Sequence, residues 1–287
     1  MKTFVVLFLA LAACLTAAAQ ISVELALDQD QFLPNEAVKV AVKITNRSGQ
    51  RVHLGADPGW LTFNVESVNG FVVVKNGEVP VVEEFDLDSS QMATKWVDLQ
   101  PYFVMGKPGR YKVIATVQVK EWSLTISSPP KHLDVINGAE LWSQDFGVPV
   151  AANTAPEPRK YALLKANYLR EQLRLYLQVS SGDGAHVFTV APLGPLVSFS
   201  SPEAQVDRTS QLHVLWQTGA QSFSYMIISP DGTTVSRDTY DNFNSRPRLM
   251  VTGDGDVVVQ GGVRRAKSSD LPAVPPPPAL PAVLEKP

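Results

Sequence analysis

The stretch Val38-Lys39-Val40-Ala41-Val42-Lys43-Ile44-Thr45 decides the fold class of this chain. Its aliphatic residues fall at every second position, and lysine, alanine or threonine fills the positions between them. Successive side chains of a β-strand point to opposite faces, so this spacing places the aliphatics on one face and the lysines on the other. The turn residues Asn46-Arg47-Ser48-Gly49 end the run. The stretch therefore predicts a strand with one buried face.

Similar short runs lie on both sides of this stretch, between residue 20 and about residue 138. They predict strands at residues 60–68, 71–74, 111–119, 124–126 and 132–136. Turn signals separate them, and no helical periodicity intervenes. Short strands in this arrangement are typical of an immunoglobulin-like sandwich. Tyr111 begins a late strand, where such folds often place a tyrosine that closes a corner.

The beginning of this region also resembles a known family. Phe32-Leu33-Pro34-Asn35-Glu36, the strand 38–44 and the turn Thr45-Asn46-Arg47-Ser48-Gly49 together resemble the opening of bacterial secreted immunoglobulin-like modules. They are similar in particular to the immunoglobulin-like family that includes an intracellular proteinase inhibitor. The resemblance implies a sandwich over residues 20–138 and, as one functional alternative, inhibition of a proteinase through an exposed loop.

The second half of the chain predicts another antiparallel β domain at residues 159–265. Residues 139–158, with Pro149, Pro156 and Pro158, lack periodicity and predict a linker. In 159–179 the alternation of residues 173–179 favours two strands meeting near residues 170–172 over a single helix. Further strands are predicted at 187–190, 212–216, 223–228, 235–240, 249–251 and 257–259. The chain is therefore expected to be all-β, with an N-terminal sandwich followed by a second antiparallel domain.

A second resemblance lies in this part of the chain. Leu212-His213-Val214-Leu215-Trp216, followed by residues 223–232 with their Pro-Asp-Gly turn, is similar to the blades of sialidase-type propellers. The resemblance implies a glycan-active hydrolase as a second functional alternative. The span holds at most about two blades, whereas closing a propeller takes about four. A second sandwich or a barrel-like sheet fits the length better.

The chain begins with the features of an export signal. Lys2 precedes an apolar run at residues 4–13, and the small residues Ala17 and Ala19 form a cleavage site with Gln20 as the first mature residue. Residues 1–19 are therefore predicted to be a signal peptide. Leu11-Ala12-Ala13-Cys14 also resembles a lipoprotein box, which would lipidate Cys14 instead. We expect an exported periplasmic or extracellular protein, with a membrane-tethered lipoprotein as the alternative.

The C-terminal composition changes to proline, alanine and valine at residues 266–287. Pro275-Pro276-Pro277-Pro278 supplies no backbone donors to a sheet and cannot enter a helix interior. This composition predicts an extended, disordered tail that acts as a spacer.

Composition and motifs exclude several classes of function. Among 287 residues the formal net charge is −3 and 45% are hydrophobic, which is typical of a globular body without a nucleic-acid surface. Cys14 is the only cysteine, so no disulfide is expected. Four isolated histidines predict no metal site, and no Gly-x-Ser-x-Gly or phosphate-binding loop implies a cofactor or a serine nucleophile. His213 alternates with Leu212 and Val214, and we expect it to face solvent.

Aromatic and arginine residues are the best candidates for binding. A secreted β-sandwich that exposes its rings can stack sugars or grip a partner protein. The chain has five tryptophans, Trp60, Trp96, Trp122, Trp142 and Trp216. The binding residues that we predict are His213, Trp216, Tyr225, Tyr240, Arg246 and Arg248. They indicate a non-catalytic binding or scaffold module of the cell envelope with a protein or glycan partner. A hydrolase would instead gather at least two of Asp207, His213, Arg237, Arg246 and Arg248 in a concave pocket.

Overall fold

The computed structural model describes residues 21–81, 83–149, 155–168, 172–267 and Asp270. Within these ranges the chain is all-β, with twenty-one strands and a 3-10 turn at Lys120–Trp122 but no α-helix. The predicted signal peptide, with Cys14, Ala19 and Gln20, lies outside the described residues. So does the tail predicted at 266–287, apart from residues 266, 267 and 270. The all-β prediction is confirmed.

The N-terminal half contains ten strands. They are β1 (Ile21–Leu27), β2 (Gln31–Phe32), β3 (Lys39–Asn46), β4 (Val52–Leu54), β5 (Leu61–Ser67), β6 (Phe85–Leu87), β7 (Met92–Asp98), β8 (Gly109–Val119), β9 (Leu124–Ser127) and β10 (Lys131–Val135). One sheet has the order β1-β3-β7, and the other has the order β2-β10-β8-β5 with β9 also paired to β8. Strands β4 and β6 form a separate pair. Pairing is antiparallel except between β2 and β10.

The alternating stretch becomes β3, the central strand of the first sheet. Val40, Val42 and Ile44 are fully buried, whereas Lys39 is exposed. They share one hydrophobic core with residues of the facing sheet such as Phe63. Burial of this alternating face against a second sheet is what the spacing of two predicts. The N-terminal half is therefore a two-sheet sandwich.

Tyr111 occupies the corner position that its place in the sequence predicts. Its ring is fully buried at the start of β8, and its hydroxyl donates a 2.6 Å hydrogen bond to the carbonyl oxygen of Lys107, four residues upstream. A bond from a buried tyrosine to the backbone just before its own strand pins the incoming loop to the core. The predicted strand at 71–74 is wrong. Only Lys75 pairs there, in a single bridge to Phe103, and Val72 is 85% exposed.

The C-terminal half contains the other eleven strands. They are β11 (Ala139–Val148), β12 (Glu157–Tyr168), β13 (Gln172–Ser181), β14 (Val187–Pro195), β15 (Glu203–Val206), β16 (Leu212–Gln217), β17 (Ser222–Ile228), β18 (Thr234–Asp241), β19 (Arg248–Val251), β20 (Val257–Gln260) and β21 (Val263–Arg264). Two sheets have the orders β11-β12-β13-β14 and β15-β16-β17-β18-β21, and β19 pairs with β20. The prediction of two strands around residues 170–172 is confirmed by the pairing of β12 with β13.

The prediction of a non-periodic linker at residues 139–158 is wrong. Residues 139–148 form β11, and β12 begins at Glu157 within the same span. Partly buried Leu141, Trp142 and Phe146 pack against the C-terminal core, which explains why this segment joins the sheet despite its irregular sequence. A bulge between Glu140 and Trp142 breaks the alternation that the sequence pattern would otherwise have revealed.

The sheet containing β16 is buried on both faces. Leu212, Val214 and Trp216 pack against the β11–β14 sheet, with Tyr161 and Leu177 in the same core. On the opposite face, Leu215, Phe223 and Tyr225 pack against Leu249 of β19 and Val259 of β20. The β19–β20 hairpin thus covers the second face.

The two halves meet through apolar and polar contacts. Buried Leu33 of the N-terminal half clusters with Ala166, Tyr176 and Val190 of the C-terminal half, and Ile136 and Leu164 pack beside them. Arg174 of β13 donates a hydrogen bond of 3.5 Å to the side-chain oxygen of Gln29. These contacts place the loops of the N-terminal half beside the β13–β14 turn, where one of the cavities described below is found.

Candidate functional site

The structure brings three of the six predicted binding residues together on the β19–β20 side of β16 and β17. His213 Nδ1 lies 2.7 Å from the hydroxyl oxygen of Tyr225, and its Nε2 lies 3.2 Å from Oδ2 of Asp207. The ring of Tyr240 meets that of Tyr225 edge-on, with centroids 6.2 Å apart. These residues form a continuous polar and aromatic network.

His213 and Tyr225 of this network are buried, whereas Asp207 and Tyr240 are partly buried. His213 faces away from Leu212 and Val214, as alternation predicts, but it is only 5% exposed. The expectation that it faces solvent was therefore wrong. The β19–β20 hairpin lies some forty residues further along the chain and covers this face. The residues next to His213 in the sequence do not indicate that a distant hairpin covers this face of the sheet.

The electrostatics of the network suit a structural role. Burial alone would raise the pKa of Asp207, but hydrogen bonds from the Gln211 and Thr209 backbone, the Thr209 hydroxyl and His213 hold it below its ordinary value. Burial raises the pKa of Tyr225 to about 12. Asp207 is thus ionised and Tyr225 neutral at neutral pH, and His213 bridges the two.

The other three predicted residues lie apart from this network. Trp216 is 1% exposed on the opposite face of β16, where its Nε1 donates a 3.0 Å hydrogen bond to the carbonyl oxygen of Pro195. The guanidinium of Arg246 lies 5.3 Å from the Phe223 ring centroid and bonds to Ser200. Arg248 pairs with Glu203 at 3.3 Å. The six residues therefore do not form one open surface, and their role in binding stays a prediction.

The residues expected of a hydrolase are likewise dispersed. Asp207 and His213 are adjacent, but within the covered network rather than in a cavity. Arg237 donates to the carbonyl oxygen of Leu193 at 3.3 Å, while Arg246 and Arg248 are engaged elsewhere. This arrangement does not present an acid, a base and an anion-binding group to one substrate position.

Two cavities that share Pro101 lie at the surface, one on the loops of the N-terminal half and the other between the two halves. We call them together the Pro101 groove, since Pro101 lines both. The first measures about 250 Å³, and its lining residues are Val79, Pro80, Val81, Trp96, Val97, Asp98, Pro101 and Tyr102. Trp96 is 64% exposed, whereas Trp60 and Trp216 are buried and Trp122 and Trp142 are partly buried. The groove thus contains the most exposed of the five indoles.

The second cavity joins the two halves of the chain. It measures about 280 Å³, and its lining residues are Asn35, Asn76, Gln100, Pro101, Phe103, Val104, Ala185, His186 and Val187. Among the described residues, the side-chain amides of Asn35, Asn76 and Gln100 have no hydrogen-bond partner. Three amides and an imidazole are thus available to a ligand at this junction.

Short-range geometry positions these amides. Pro34 and Asn35 occupy the centre of a turn closed by the Glu36 N–H bond to the Leu33 carbonyl at 3.1 Å, and Asn35 has a φ of 64°. Proline followed by asparagine is the pairing that such a turn favours. Glu36 is itself buried, and its carboxylate accepts the Leu33 N–H at 2.7 Å and the Gln29 amide at 2.8 Å. The Asn35 side chain therefore projects from a fixed backbone.

Backbone hydrogen bonds also fix the segments that carry Asn76 and Gln100 on the opposite side of the second cavity. The Asn76 N–H donates to the Tyr102 carbonyl, and the Val104 N–H donates to the Val74 carbonyl, both at 2.9 Å. Oδ1 of Asp98 accepts the N–H of Gln100 at 3.1 Å and that of Val38 at 3.0 Å. These bonds lock the loop of residues 98–104 against its neighbours, so the groove exists before any ligand arrives.

Sequence reasoning singled out Trp96 only as one of five tryptophans and did not single out the amides. The pattern of β7 holds one usable signal: Met92, Thr94 and Trp96 alternate with Ala93, Lys95 and Val97, which places Trp96 on the outer face. Convergence of Asn35, Asn76 and Gln100 has no signal in the sequence, because it results from loop packing between segments far apart in the chain.

Polar clusters also lie outside the groove. Among the described residues, no group of three or more His, Cys, Asp or Glu side chains is arranged to hold a metal ion. His53 lies between Asp86, at 2.8 Å from Nδ1, and Glu84, at 2.7 Å from Nε2, on the open surface. This arrangement raises the pKa of His53 chiefly through the bond to Asp86 and then that to Glu84.

Comparison with known proteins identifies no relative. No protein-family model matches the chain, and no curated protein matches it. Within the described ranges, no helix has the length and apolar character needed to cross a membrane. The function must therefore be argued from the geometry of the groove itself.

Proposed function

We propose that this protein is an exported, non-catalytic binding module of the cell envelope. The observation that carries the proposal is the Pro101 groove, in which the exposed ring of Trp96 lines one cavity, three unpaired amides line the other, and Pro101 lines both. Exposed aromatic surface beside fixed polar groups is characteristic of recognition sites. The rigid loops that hold the groove reduce the ordering cost of binding.

The lining of the groove favours binding over catalysis. The described lining residues include one carboxylate, Asp98, and one imidazole, His186, and these two line different cavities. Oδ1 of Asp98 is already occupied by two backbone N–H groups. A general acid–base pair must reach the same substrate atom or its leaving group, and this arrangement does not offer one. The hydrolase and the proteinase inhibitor stay predictions that no specific observation favours.

Location in the envelope rests on the amino-terminal sequence. Lys2, the apolar run at 4–13 and the small residues Ala17 and Ala19 support export. Mass spectrometry of the mature protein decides between the two processing routes. An N-terminus at Gln20 would give a soluble protein, and a lipidated Cys14 would give a tethered one.

Co-sedimentation with isolated cell-envelope fragments tests the proposed function. The full exported chain should sediment with the fragments, and Trp96→Ala should reduce the retained fraction several-fold. Met92→Ala is the matched control, because Met92 is 59% exposed on the same strand but does not line the groove. Failure of the wild-type chain to sediment, or equal retention of the two variants, would contradict the proposal.

A further inference from the structure

We infer that the Pro101 groove binds an extended, uncharged oligosaccharide. In this arrangement one sugar ring stacks on Trp96, and the hydroxyl groups of the next bond to Asn35, Asn76 and Gln100. The inference deepens the proposed function by assigning the chemical class of its ligand, and it rests on that function. Three features of the groove support it: the indole platform, the amides with no cation beside them, and the two prolines of the lining.

Trp96 offers a platform of the kind that a pyranose ring fits. The C–H groups on one face of a sugar ring form a weakly apolar surface, which packs on the π-face of an indole. Trp96 projects from the edge strand β7, and its partner across the sheet on β3 is Ala41. Because alanine carries only a methyl group, no long side chain from that position covers the indole.

The polar side chains of the second cavity match hydroxyl groups rather than charges, and the charged residue of the first cavity, Asp98, would repel an anionic ligand. A primary amide carries both donors and an acceptor, and a sugar hydroxyl is likewise both donor and acceptor. Neither cavity is lined by a described lysine or arginine, so the groove lacks the cations that an anionic glycan or a phosphate would require. Burying a charged ligand against neutral amides would leave its charge uncompensated.

The size of the groove indicates more than one sugar unit. Each cavity, at about 250 and 280 Å³, falls below the roughly 300 Å³ at which small-molecule sites begin, so a ligand of that size would have to extend over both. Since both are lined by Pro101, a single extended ligand can contact Trp96 in one and the amides in the other. An oligosaccharide has this shape and repeats its ring and hydroxyl groups along its length.

The prolines that line the groove disfavour an extended polypeptide. Peptides that bind along a sheet edge do so mainly through backbone hydrogen bonds with the exposed strand. Pro80 and Pro101 line the first cavity and have no N–H to donate. Recognition there must rely on rings and side-chain amides, which is the mode that suits a glycan.

Isothermal titration calorimetry with neutral hexasaccharides tests the inference. The full exported chain is titrated at pH 7 with cellohexaose, mannohexaose, maltohexaose and N-acetylated chitohexaose, and with a hexagalacturonate as the charged comparison. We expect at least one neutral hexasaccharide to bind and the hexagalacturonate not to bind. Binding of the hexagalacturonate alone, or of no neutral sugar at millimolar concentration, would overturn the inference.

Variants locate the binding in the groove. Trp96→Ala and the double variant Asn76→Ala/Gln100→Ala should each weaken the sugar about tenfold or more, whereas Trp96→Phe should retain part of the affinity and Met92→Ala all of it. The substituted residues are exposed or half-exposed, so unchanged circular dichroism melting separates lost binding from lost folding. Equal affinities of wild type and Trp96→Ala would overturn the inference.

Co-sedimentation with cell-envelope fragments distinguishes failure of the oligosaccharide inference from failure of the proposed binding function. If envelope retention depends on Trp96 but is abolished by protease treatment of the fragments and unaffected by glycosidases, the partner is a protein. The binding function would then stand and the glycan inference would fall. If glycosidase treatment abolishes retention and protease does not, the inference is supported.

Discussion

Nδ1 of His213 and the hydroxyl oxygen of Tyr225 lie 2.7 Å apart on neighbouring strands, beneath the β19–β20 hairpin. Each residue is mostly buried, so neither can exchange its partner for water. A buried polar group that loses its hydrogen bond retains its full desolvation cost. The pair is therefore expected to stabilise the C-terminal sheet rather than to react with a ligand.

Tyr225→Phe should lower the free energy of unfolding by about 1–2 kcal/mol, since it leaves a buried imidazole nitrogen without a partner. Urea denaturation at pH 7 measures the change. Tyr240→Phe is the matched control, because among the described residues the Tyr240 hydroxyl makes no hydrogen bond. Equal losses in the two variants would show that the His213 contact contributes nothing specific.

Asp207→Asn should destabilise the protein at neutral pH and less so in acid. The pKa of Asp207 lies below its ordinary value of 3.8, because its hydrogen bonds outweigh the effect of burial. An acid with a depressed pKa contributes stability above the unfolded value, and this contribution is lost as pH falls through the folded pKa. The stability difference between wild type and variant should therefore shrink below pH 3.8. A constant difference from pH 7 to pH 3 and below would contradict this assignment.

Glu36→Gln should show the opposite dependence. Burial raises the pKa of Glu36 above 4.5, and the bonds from Leu33 and Gln29 and the charge of Arg174 only partly oppose it. An acid with a raised pKa contributes most below the unfolded value and loses that contribution as pH rises through the folded pKa. The advantage of wild type over the variant should thus be largest below pH 4.5 and decline toward neutral pH.

Urea denaturation of both proteins across this range measures the decline. Glu121→Gln, at an exposed position, controls for the loss of one negative charge. An advantage of wild type that grows with pH would mean that the ionised carboxylate of Glu36 is favoured at the junction.

His53 should titrate above its ordinary pKa of 6.5, because Asp86 and Glu84 both bond to its ring. NMR titration of the imidazole protons gives this value directly. Asp86→Asn should lower the pKa, while Asp88→Asn should change it less, because Asp88 bonds to Arg51 instead. A His53 pKa at or below 6.5 in the wild-type protein would show that the two carboxylates do not hold the ring in solution.

Much of the fold could be predicted because strand alternation is local. The spacing of Val40, Val42 and Ile44 predicts β3 and its buried face, and residues 173–179 predict β13 in the same way. The prediction of strands failed where tertiary packing, rather than the alternation of apolar residues, decides whether a segment joins a sheet. The bulge near Trp142 concealed β11, and residues 71–74 carry strand-forming side chains but pair only at Lys75.

The candidate site could be predicted only in part. The alternation of β7 indicates that Trp96 faces outward, but it does not show that the ring lies beside a cavity. The predicted aromatics of β16 and β17 have the residue types of a binding surface, yet Trp216 and Tyr225 are buried. Residue type alone cannot separate a ring that fills a core from one that contacts a ligand.

The all-β class and the order of most strands follow from local sequence, because the buried face of each strand depends on the alternation of neighbouring residues. Which side chains are covered and which are open depends on tertiary packing. The β19–β20 hairpin packs over Tyr225, the partner of His213, and the loops that carry Asn35, Asn76 and Gln100 converge beside the β13–β14 turn. Burial and convergence depend on contacts between segments distant in the chain, and no local pattern encodes those contacts.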